Sequence, residues 1–498
     1  MQPALPAPCR TSCRVVVLIL LFLGSAAAQA QQEDIRRILD QRTQRQGIER
    51  ERHLLQDELE ADRPTITVDG QTYTVAHNAN DVGRALYLSL QSREWQAAAR
   101  FLDEYMDLPD RDPMLAHYAQ GMLARLQGRH REAVHEFRQV LAIQPQFLLG
   151  RLELARTLFE DQQDREAAEL FEAIETSIDT TDPKTEGVRR SVATFRKALE
   201  SRRSWNGTFA LGPAWSDNVN RTSASHTCLV ADSSGFCYVD RKLPDAIVAT
   251  GVDYDASLNR RLPLGGHHGL YLRSLLFGQA YRNYSAYNEA TLATQAGYSF
   301  RSARHGMALA STFDYQALGN SALYGAWGIH AEWNYTLSPA SMLKLEADWK
   351  ELRYRQASYA PYYDGASRSV YATYFRSLGQ RWTLFGGVDI VDNDTPLAVT
   401  AYRQKGIRLG ASLQWPEGFN STLFTSYRRR EDGASNALLE AQRKDDEQSY
   451  IFIVKAARWA MAGFTPLLTL RYNKVDSSVD WLYSYDRSTV NLKLERMF

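Results

Sequence analysis

Two polar side chains in the second half of the chain, His330 and Glu332, are of the types used in general acid–base catalysis. They lie two residues apart in a stretch that alternates polar and apolar residues, so on a β-strand both would point to the same face. No positioned nucleophile is evident beside them. We therefore interpret the pair as part of a polar surface, and we expect no enzyme activity, no catalytic residue, no cofactor and no metal site.

The cysteines suggest a different chemistry. Cys228 and Cys237 are separated by eight residues of a polar segment, and in an exported protein such a pair is typical of a disulfide. Two cysteines alone make a poor metal site. Cys9 and Cys13 precede the apolar stretch that begins at Val15, whereas an acylated lipoprotein cysteine would follow it. The protein itself is therefore not expected to be lipidated.

Two further groups of residues are candidates for a functional surface. Side chains expected to line the lumen of a barrel are Asp253, Asp255, Arg273, His330, Glu332, Lys344, Glu346, Asp348 and Lys350. Side chains expected on the concave face of a helical repeat array, where they would bind cargo, are Tyr118, Met122, Arg125, Leu152, Arg156 and Phe159. Packing against neighbouring helices is the alternative role for this second group.

The elements that would hold the lumenal group are β-strands. From Trp205 onward the sequence alternates with a period of two in fourteen segments, most clearly over 343–350, where the even positions are charged. Connections of about 7 to 29 residues alternate with connections of about 2 to 9 residues. Long loops at one rim, short turns at the other and an even number of strands predict an antiparallel transmembrane barrel of the outer-membrane type.

The elements that would hold the concave group are paired helices. Ala and Phe recur four residues apart at Ala97 and Phe101, at Ala133 and Phe137, and at 167 and 171, a period near 34 that is typical of tetratricopeptide-like repeats. Gly121 would allow close packing of the paired helices. A generic array of α-hairpins is the alternative.

The segments before the repeats have different character. Residues 31–63 are highly charged with sparse apolar positions, which indicates a solvated helix or a mobile arm. Asp69 and Gly70 separate two alternating runs and predict a β-hairpin over 64–80. Arg10 and Arg14, the apolar stretch from Val15 and the small residues at 28–30 predict a cleaved signal peptide over 1–30.

The predicted fold class is therefore α plus transmembrane β, with periplasmic repeats over 81–200 followed by a 14-stranded barrel over 201–498. After the signal no run of about twenty apolar residues occurs, so a transmembrane helix is not expected. Lys and Arg number 58, as do Asp and Glu, and a balanced charge argues against nucleic acid as a partner.

The order of these parts resembles the surface lipoprotein assembly modulator family, the outer-membrane component of type XI secretion. The resemblance is carried by the hairpin at 67–73, by Asn80-Asp81-Val82-Gly83-Arg84-Ala85-Leu86, by the repeat from Gly121 to Pro145, by Trp205-Asn206-Gly207 and by the terminal Phe498. It implies delivery of lipoproteins, or in some branches soluble proteins, from the periplasm to the cell surface. It supplies no catalytic residue.

The expected function is capture of protein cargo, a surface lipoprotein or a related secreted protein, in the periplasm and its delivery through the bacterial outer membrane. Expected partners are that cargo, outer-membrane lipid, and the barrel-assembly machinery and periplasmic chaperones that serve its biogenesis. A polysaccharide exporter and a substrate-specific porin with a periplasmic repeat domain remain as alternatives. An outer-membrane hydrolase would need an aligned nucleophile and base, which the sequence does not offer.

Overall fold

The computed structural model describes residues 25–56, 77–178, 185–437 and 439–498. Its helices before the barrel are α1 (Ser25–Leu54), α2 (Ala79–Gln91), α3 (Trp95–Met106), α4 (Pro113–Leu126), α5 (His130–Ile143), α6 (Leu148–Glu160), α7 (Asp164–Ser177) and α8 (Glu186–Arg203). Most of the predicted hairpin and most of the predicted signal peptide lie outside these ranges. None of the described helices combines the length and apolar character needed to cross a membrane.

Helices α2 to α7 form three antiparallel pairs, which confirms the repeat prediction. Gly121 of α4 faces Phe137 of α5 so closely that a Cβ atom would lie 2.8 Å from the ring. Helix α4 ends before Gly128, whose φ of +69° is favourable for glycine. In the first pair the register differs by one residue from the prediction, because Ala98 rather than Ala97 is fully buried.

The second half is a closed antiparallel barrel of fourteen strands, as predicted. Its strands are β1 (Asn206–Ser216), β4 (Ala249–Gly265), β5 (His268–Tyr281), β6 (Glu289–Arg301), β7 (His305–Leu318), β8 (Ser321–Ser338), β9 (Ser341–Tyr354), β10 (Gly365–Leu378), β11 (Trp382–Asp394), β12 (Tyr402–Gln414), β13 (Phe419–Asp432), β14 (Lys444–Ala456), β15 (Phe464–Ser477) and β16 (Tyr485–Met497). Strand β1 pairs with both β4 and β16, which closes the ring.

The two rims of the barrel differ as the sequence indicates, with one exception. The connection after β7 was expected to be a loop of about nine residues, but Gly319 and Asn320 alone join β7 to β8. Both residues have φ near +60°, as a tight two-residue hairpin turn requires. Ala317 and Leu318, and Ala322 and Leu323, are adjacent apolar residues that interrupt the alternation, so a period of two does not show that both strands continue into the hairpin.

The outer surface of the barrel is apolar. Phe209, Leu211 and Trp215 of β1 and Leu492 and Leu494 of β16 are exposed, whereas the residues between them face the lumen. A closed barrel with an apolar exterior is the architecture that spans the bacterial outer membrane. One long loop carries a separate hairpin of β2 (His226–Ala231) and β3 (Cys237–Lys242).

Candidate functional site

Helix α1 lies inside the barrel. Asp34 pairs with Arg428 on β13, Arg37 with Glu346 on β9, and Arg42 with Asp255 on β4; contacts in three sectors of the wall place the helix in the lumen. Near one end, Gln31 donates a hydrogen bond of 3.2 Å to the Tyr485 hydroxyl at the long-loop rim. Near the other, Arg50 donates one of 2.7 Å to Asn206 at the short-turn rim. The helix therefore runs along the length of the lumen.

This position corrects the expectation of a solvated helix or mobile arm. Asp34 is 0 % exposed, and the apolar side chains of Ile38 and Leu39 are buried. Ile38 packs against Phe424 and Ile451 of the barrel wall. Leu39 packs against a second apolar patch formed by Leu275 and Phe277. The sparse apolar positions of α1 thus match apolar patches on a wall that is otherwise polar.

A buried chain of charges holds the first half of α1. The Arg428 Nη1 lies 2.7 Å from the Asp34 carboxylate, and its Nε lies 2.8 Å from Asp389 of β11. Asp389 also accepts a hydrogen bond from Arg408 of β12, which is 2 % exposed. Because these charges are removed from water, their mutual pairing is what makes their burial tolerable.

A second cluster surrounds Asp40 of α1. Its carboxylate lies 3.2 Å from Arg273 and 3.4 Å from Lys344. Lys344 also lies 3.3 Å from Glu332 and 3.2 Å from Glu346. The Asp40 carboxylate of α1 thus adds a negative charge to a network of alternating charges on the barrel wall.

The structure places all nine candidate lumenal residues on the inner side of the wall. Asp255, Arg273, Lys344 and Glu346 contact α1 directly. Lys350 shares Asp314 with Arg36 of α1. The remaining four are held by wall residues: Asp253 by Lys493, Glu332 by Lys344, and His330 and Asp348 by each other at 2.9 Å.

His330, Glu332 and Glu346 place one potential ligand atom each within 4.8 Å of one another. The Lys344 ammonium lies beside both carboxylates, and Arg273 lies 3.3 Å from Glu332. These fixed positive charges already neutralise the carboxylates and would repel a metal ion. The cluster therefore fits an ion-pair network better than a metal site.

The helical domain sits on the short-turn rim and contacts both the barrel and α1. Asp164 of α7 accepts bonds from Arg202 of α8 at 2.6 Å and from Arg261 of β4 at 3.1 Å. Arg202 also pairs with Glu51 of α1 at 2.7 Å. The turn between β4 and β5 adds a bond from the Gly266 N–H to Glu166. One buried carboxylate thus links the repeats, the wall and, through Arg202, the lumenal helix.

The candidate cargo-binding residues prove to be largely structural. Leu152 and Phe159 are 4 % and 3 % exposed and belong to the helical core, which corrects the expectation that they face an open groove. Helix α8 covers this side. The ring centroids of its Phe195 and of Phe159 lie 5.0 Å apart. Met122 is half-buried against the same core.

The polar members of that group are likewise engaged. Arg125 lies 2.6 Å from both Glu153 and Glu160. Arg156 lies 2.9 Å from Glu153 and donates a bond to Ser191 of α8. Tyr118 packs edge-on against Phe137 and Phe147, and burial raises the pKa of its phenol. The pairing of Arg125 with Glu153 and Glu160 could not be read from the sequence, because it joins helices of different repeats.

The external hairpin contains the disulfide. Cys228 and Cys237 are bonded, with their Cα atoms 5.8 Å apart, and join β2 to β3. Phe236 and Tyr238 beside the bond are both exposed, with ring centroids 5.2 Å apart. The disulfide crosslinks the two strands of a hairpin that lies outside the barrel wall.

The sequence matches two family models that cover most of the described chain. Residues 205–498 match the surface lipoprotein assembly modifier family. The chain belongs to that family. Residues 68–171 match its N-terminal tetratricopeptide repeats, so both the repeat array and the barrel agree with the family architecture.

Relatives show the same similarity over nearly their full length. The hemophilin secretion modulator of Acinetobacter baumannii is 39% identical over 445 residues, which cover 87% of this chain and 89% of that protein. Surface lipoprotein assembly modifier 2 of Neisseria meningitidis serogroup B is 26% identical over 453 residues, covering 85% and 87%. The similarity therefore spans most of the length of both relatives.

Among solved structures, the outer-membrane channel DcaP of Acinetobacter baumannii aligns with a TM-score of 0.34 and 9% identity, covering 59% of this chain and 96% of the channel. A Pseudomonas aeruginosa FadL homologue aligns with a TM-score of 0.34 and 8% identity, covering 59% and 90%. Likenesses of this size carry no information on function.

Proposed function

We propose that this protein transfers polypeptide cargo across the outer membrane to the cell surface, with its helical domain in the periplasm. The cargo class that the relatives' names suggest is a surface lipoprotein or a related secreted protein. The fold and the family are those of a transport barrel rather than of an enzyme class.

The observation that carries the proposal is the occupancy of the lumen by the protein's own helix. The wall binds α1 through charges at Arg428, Glu346 and Asp255 and through apolar contacts at Phe424 and Phe277. A wall that combines these two kinds of contact is complementary to a polypeptide. The same wall is available to a transported segment when α1 withdraws.

The occupied lumen disfavours the alternatives. A passive porin needs a continuous aqueous channel, whereas α1 occupies this lumen along its length. A polysaccharide exporter would be expected to carry a longer repeat array than the three helical pairs described here. Neither alternative accounts for an internal helix tied to the helical domain through Glu51 and Arg202.

The position of the helical domain suggests how transport is controlled. Cargo that engages the repeats at the short-turn rim would act on the same domain that holds the C-terminal end of α1. Leu55, directly after α1, packs in the core of that domain. Cargo binding and withdrawal of the helix are therefore mechanically linked in this proposal.

The experiment is a deletion strain complemented with the full chain, in which proteins, glycans and solute uptake at the cell surface are compared. We expect complementation to restore specific surface proteins while glycans and solute uptake stay unchanged. Restoration of a glycan, or of solute uptake without any protein, would contradict the proposal and favour the corresponding alternative.

A further inference from the structure

The junction between the first and last barrel strands is paired less completely than the other junctions. Strands β1 and β16 form seven residue pairs, whereas β1 and β4 form eleven. Every other neighbouring pair of barrel strands forms at least eleven. We call this junction the seam.

The gap in the seam lies at Gly212 and Pro213. Pairing with β16 runs from Thr208 to Leu211 and resumes at Ala214 in the same register. Gly207 and Phe498 exchange both backbone hydrogen bonds at 3.1 Å. Residues that exchange two hydrogen bonds with the neighbouring strand recur at every second position of an antiparallel ladder. Pro213 is an even number of positions after Gly207, so it occupies a position whose backbone N–H should point to β16.

Proline has no N–H to donate, so it breaks the ladder at that position. Within sheets it is found mainly on edge strands, with its nitrogen away from any partner. Strand β1 therefore has the character of an edge strand on its β16 side, although the barrel is closed there.

Side chains inside the lumen compensate for the incomplete ladder. The residues of β1 that face inward are all small, namely Thr208, Ala210, Gly212, Ala214 and Ser216. Lys493 of β16 reaches across them to Asp253 of β4 at 2.7 Å. Asn491 donates a second bond to Asp253 at 2.8 Å.

One face of helix α1 also contacts the strands on both sides of the seam. Arg42 pairs with Glu495 of β16 at 3.2 Å and with Asp255 of β4 at 2.8 Å, bridging β1. Gln46, four residues later, approaches Glu495, and Arg50, four further on, bonds to Asn206 at the start of β1. Positions four apart share a helix face, so this face of α1 spans the seam.

We propose that the seam is a lateral opening, latched from inside by Arg42 and Arg50 of α1, whose freed β1 edge binds an extended polypeptide segment. This rests on the proposed function, since the segment belongs to the transported protein. Unpaired backbone groups are costly inside a membrane. An added strand satisfies them, which a lipid chain cannot do, so β-augmentation selects polypeptide as the occupant.

A reversible crosslink tests the opening in the full chain. The lock variant Ser216→Cys/Thr489→Cys joins directly paired residues of β1 and β16. The matched control Ser412→Cys/Thr422→Cys joins a Ser and a Thr whose hydroxyls lie 3.0 Å apart across β12 and β13. Each variant is its own folding control, because reduction regenerates the uncrosslinked chain.

With the disulfide formed, as verified by mass spectrometry, we expect the seam lock to abolish delivery of surface proteins in complemented cells and reductant to restore it. The control lock should deliver in both states, which also accounts for any effect of reducing the native disulfide. Delivery at the unlocked level by the oxidised seam lock would overturn the proposal.

A second measurement needs no transport and separates failure of this inference from failure of the proposed function. In Arg42→Ala/Arg50→Ala protein in nanodiscs, the backbone amides of Gly207, Phe209, Leu211 and Trp215, which point to β16, should exchange hydrogen about tenfold faster than those of 404–414, since fewer bonds hold them. Wild-type protein should show a smaller difference. Equal, slow exchange in both segments of the variant would refute the latch even if transport occurs by another route.

Discussion

Asp34 and Arg428 form a buried ion pair although 394 residues separate them along the chain. One lies near the start of the described residues and the other near the end of β13, and their pairing anchors the first half of α1 to the barrel wall. The ion pair therefore offers a direct way to test what α1 does.

Replacing Asp34 by Ala should release the first half of α1. Arg428 would keep Asp389 but lose its partner on the helix, a change that costs about 3 kcal/mol for a buried pair and weakens docking by roughly 100-fold. We expect higher ion conductance in planar bilayers. Arg368→Ala, which removes an exposed pair with Asp392, is the control, and unchanged conductance of the Asp34 variant would show that α1 does not close the lumen.

Replacing Asp164 by Ala should loosen the helical domain from the barrel. Arg202 and Arg261, 10% and 4% exposed in their side chains, would both lose their shared carboxylate, at a cost of about 3–5 kcal/mol. Limited proteolysis should then cut between the domains faster. Glu169→Ala, one turn along α7 in an exposed pair with Arg165, should leave the rate unchanged; equal rates for both variants would exclude Asp164 as the link.

Replacing Arg125 by Ala should destabilise the helical domain rather than affect recognition alone. The change removes the partner of the buried Glu153, which retains Arg156, so we expect a loss of about 2–3 kcal/mol. Circular dichroism melting of the domain measures it. Arg129→Ala, in an exposed pair with Glu132, should cost less than about 1 kcal/mol. An unchanged melting temperature with lost cargo binding would restore Arg125 as a recognition residue.

Replacing Cys228 and Cys237 by Ser should affect the external hairpin alone. The crosslink closes a short loop at a sequence separation of 9, outside the barrel wall, so the barrel should melt at the wild-type temperature while proteases cut between β2 and β3. Mass spectrometry of the unreduced wild-type protein should show the bond. Two free thiols in mature protein would disprove it.

A chain of residues 201–498 should insert as a barrel without delivering cargo. It lacks both α1 and the repeats, so its lumen should conduct ions more strongly than the full chain. Heat-modifiable migration in gels reports insertion, and surface labelling reports delivery. Full delivery by this fragment would show that neither the helix nor the repeats is needed.

Local sequence patterns predicted the fold well because strands and repeats have short periods. The alternation at 343–350 and the contact between Gly121 and Phe137 are both set by neighbours within one or two elements. The position of α1 could not be predicted in this way. Its charges at Asp34, Arg37 and Arg42 look like those of a solvated helix until their partners on distant strands are known.

Some residues of the candidate site can likewise be predicted from local patterns, and others cannot. The nine lumenal residues follow from a period of two once a strand is recognised. Their partners Asp40 and Arg42 cannot be inferred in this way, because these contacts form only when the barrel has closed around α1. The concave face was misassigned for a related reason: Ser191 and Phe195 of α8, which cover it, follow the last recognisable repeat.

The direction of α1 has a consequence for how the molecule is made. Gln31 lies by Tyr485 and Arg50 by Asn206, so this helix, which precedes the barrel in the chain, passes through a ring that the last strand completes. Helix α1 is synthesised before the barrel strands. It can therefore take up its position in the lumen only after the last strand has been made. A bulky folded domain inserted before α1 would have to pass through that ring or be enclosed as the ring closes, so we expect it to prevent α1 from entering the barrel.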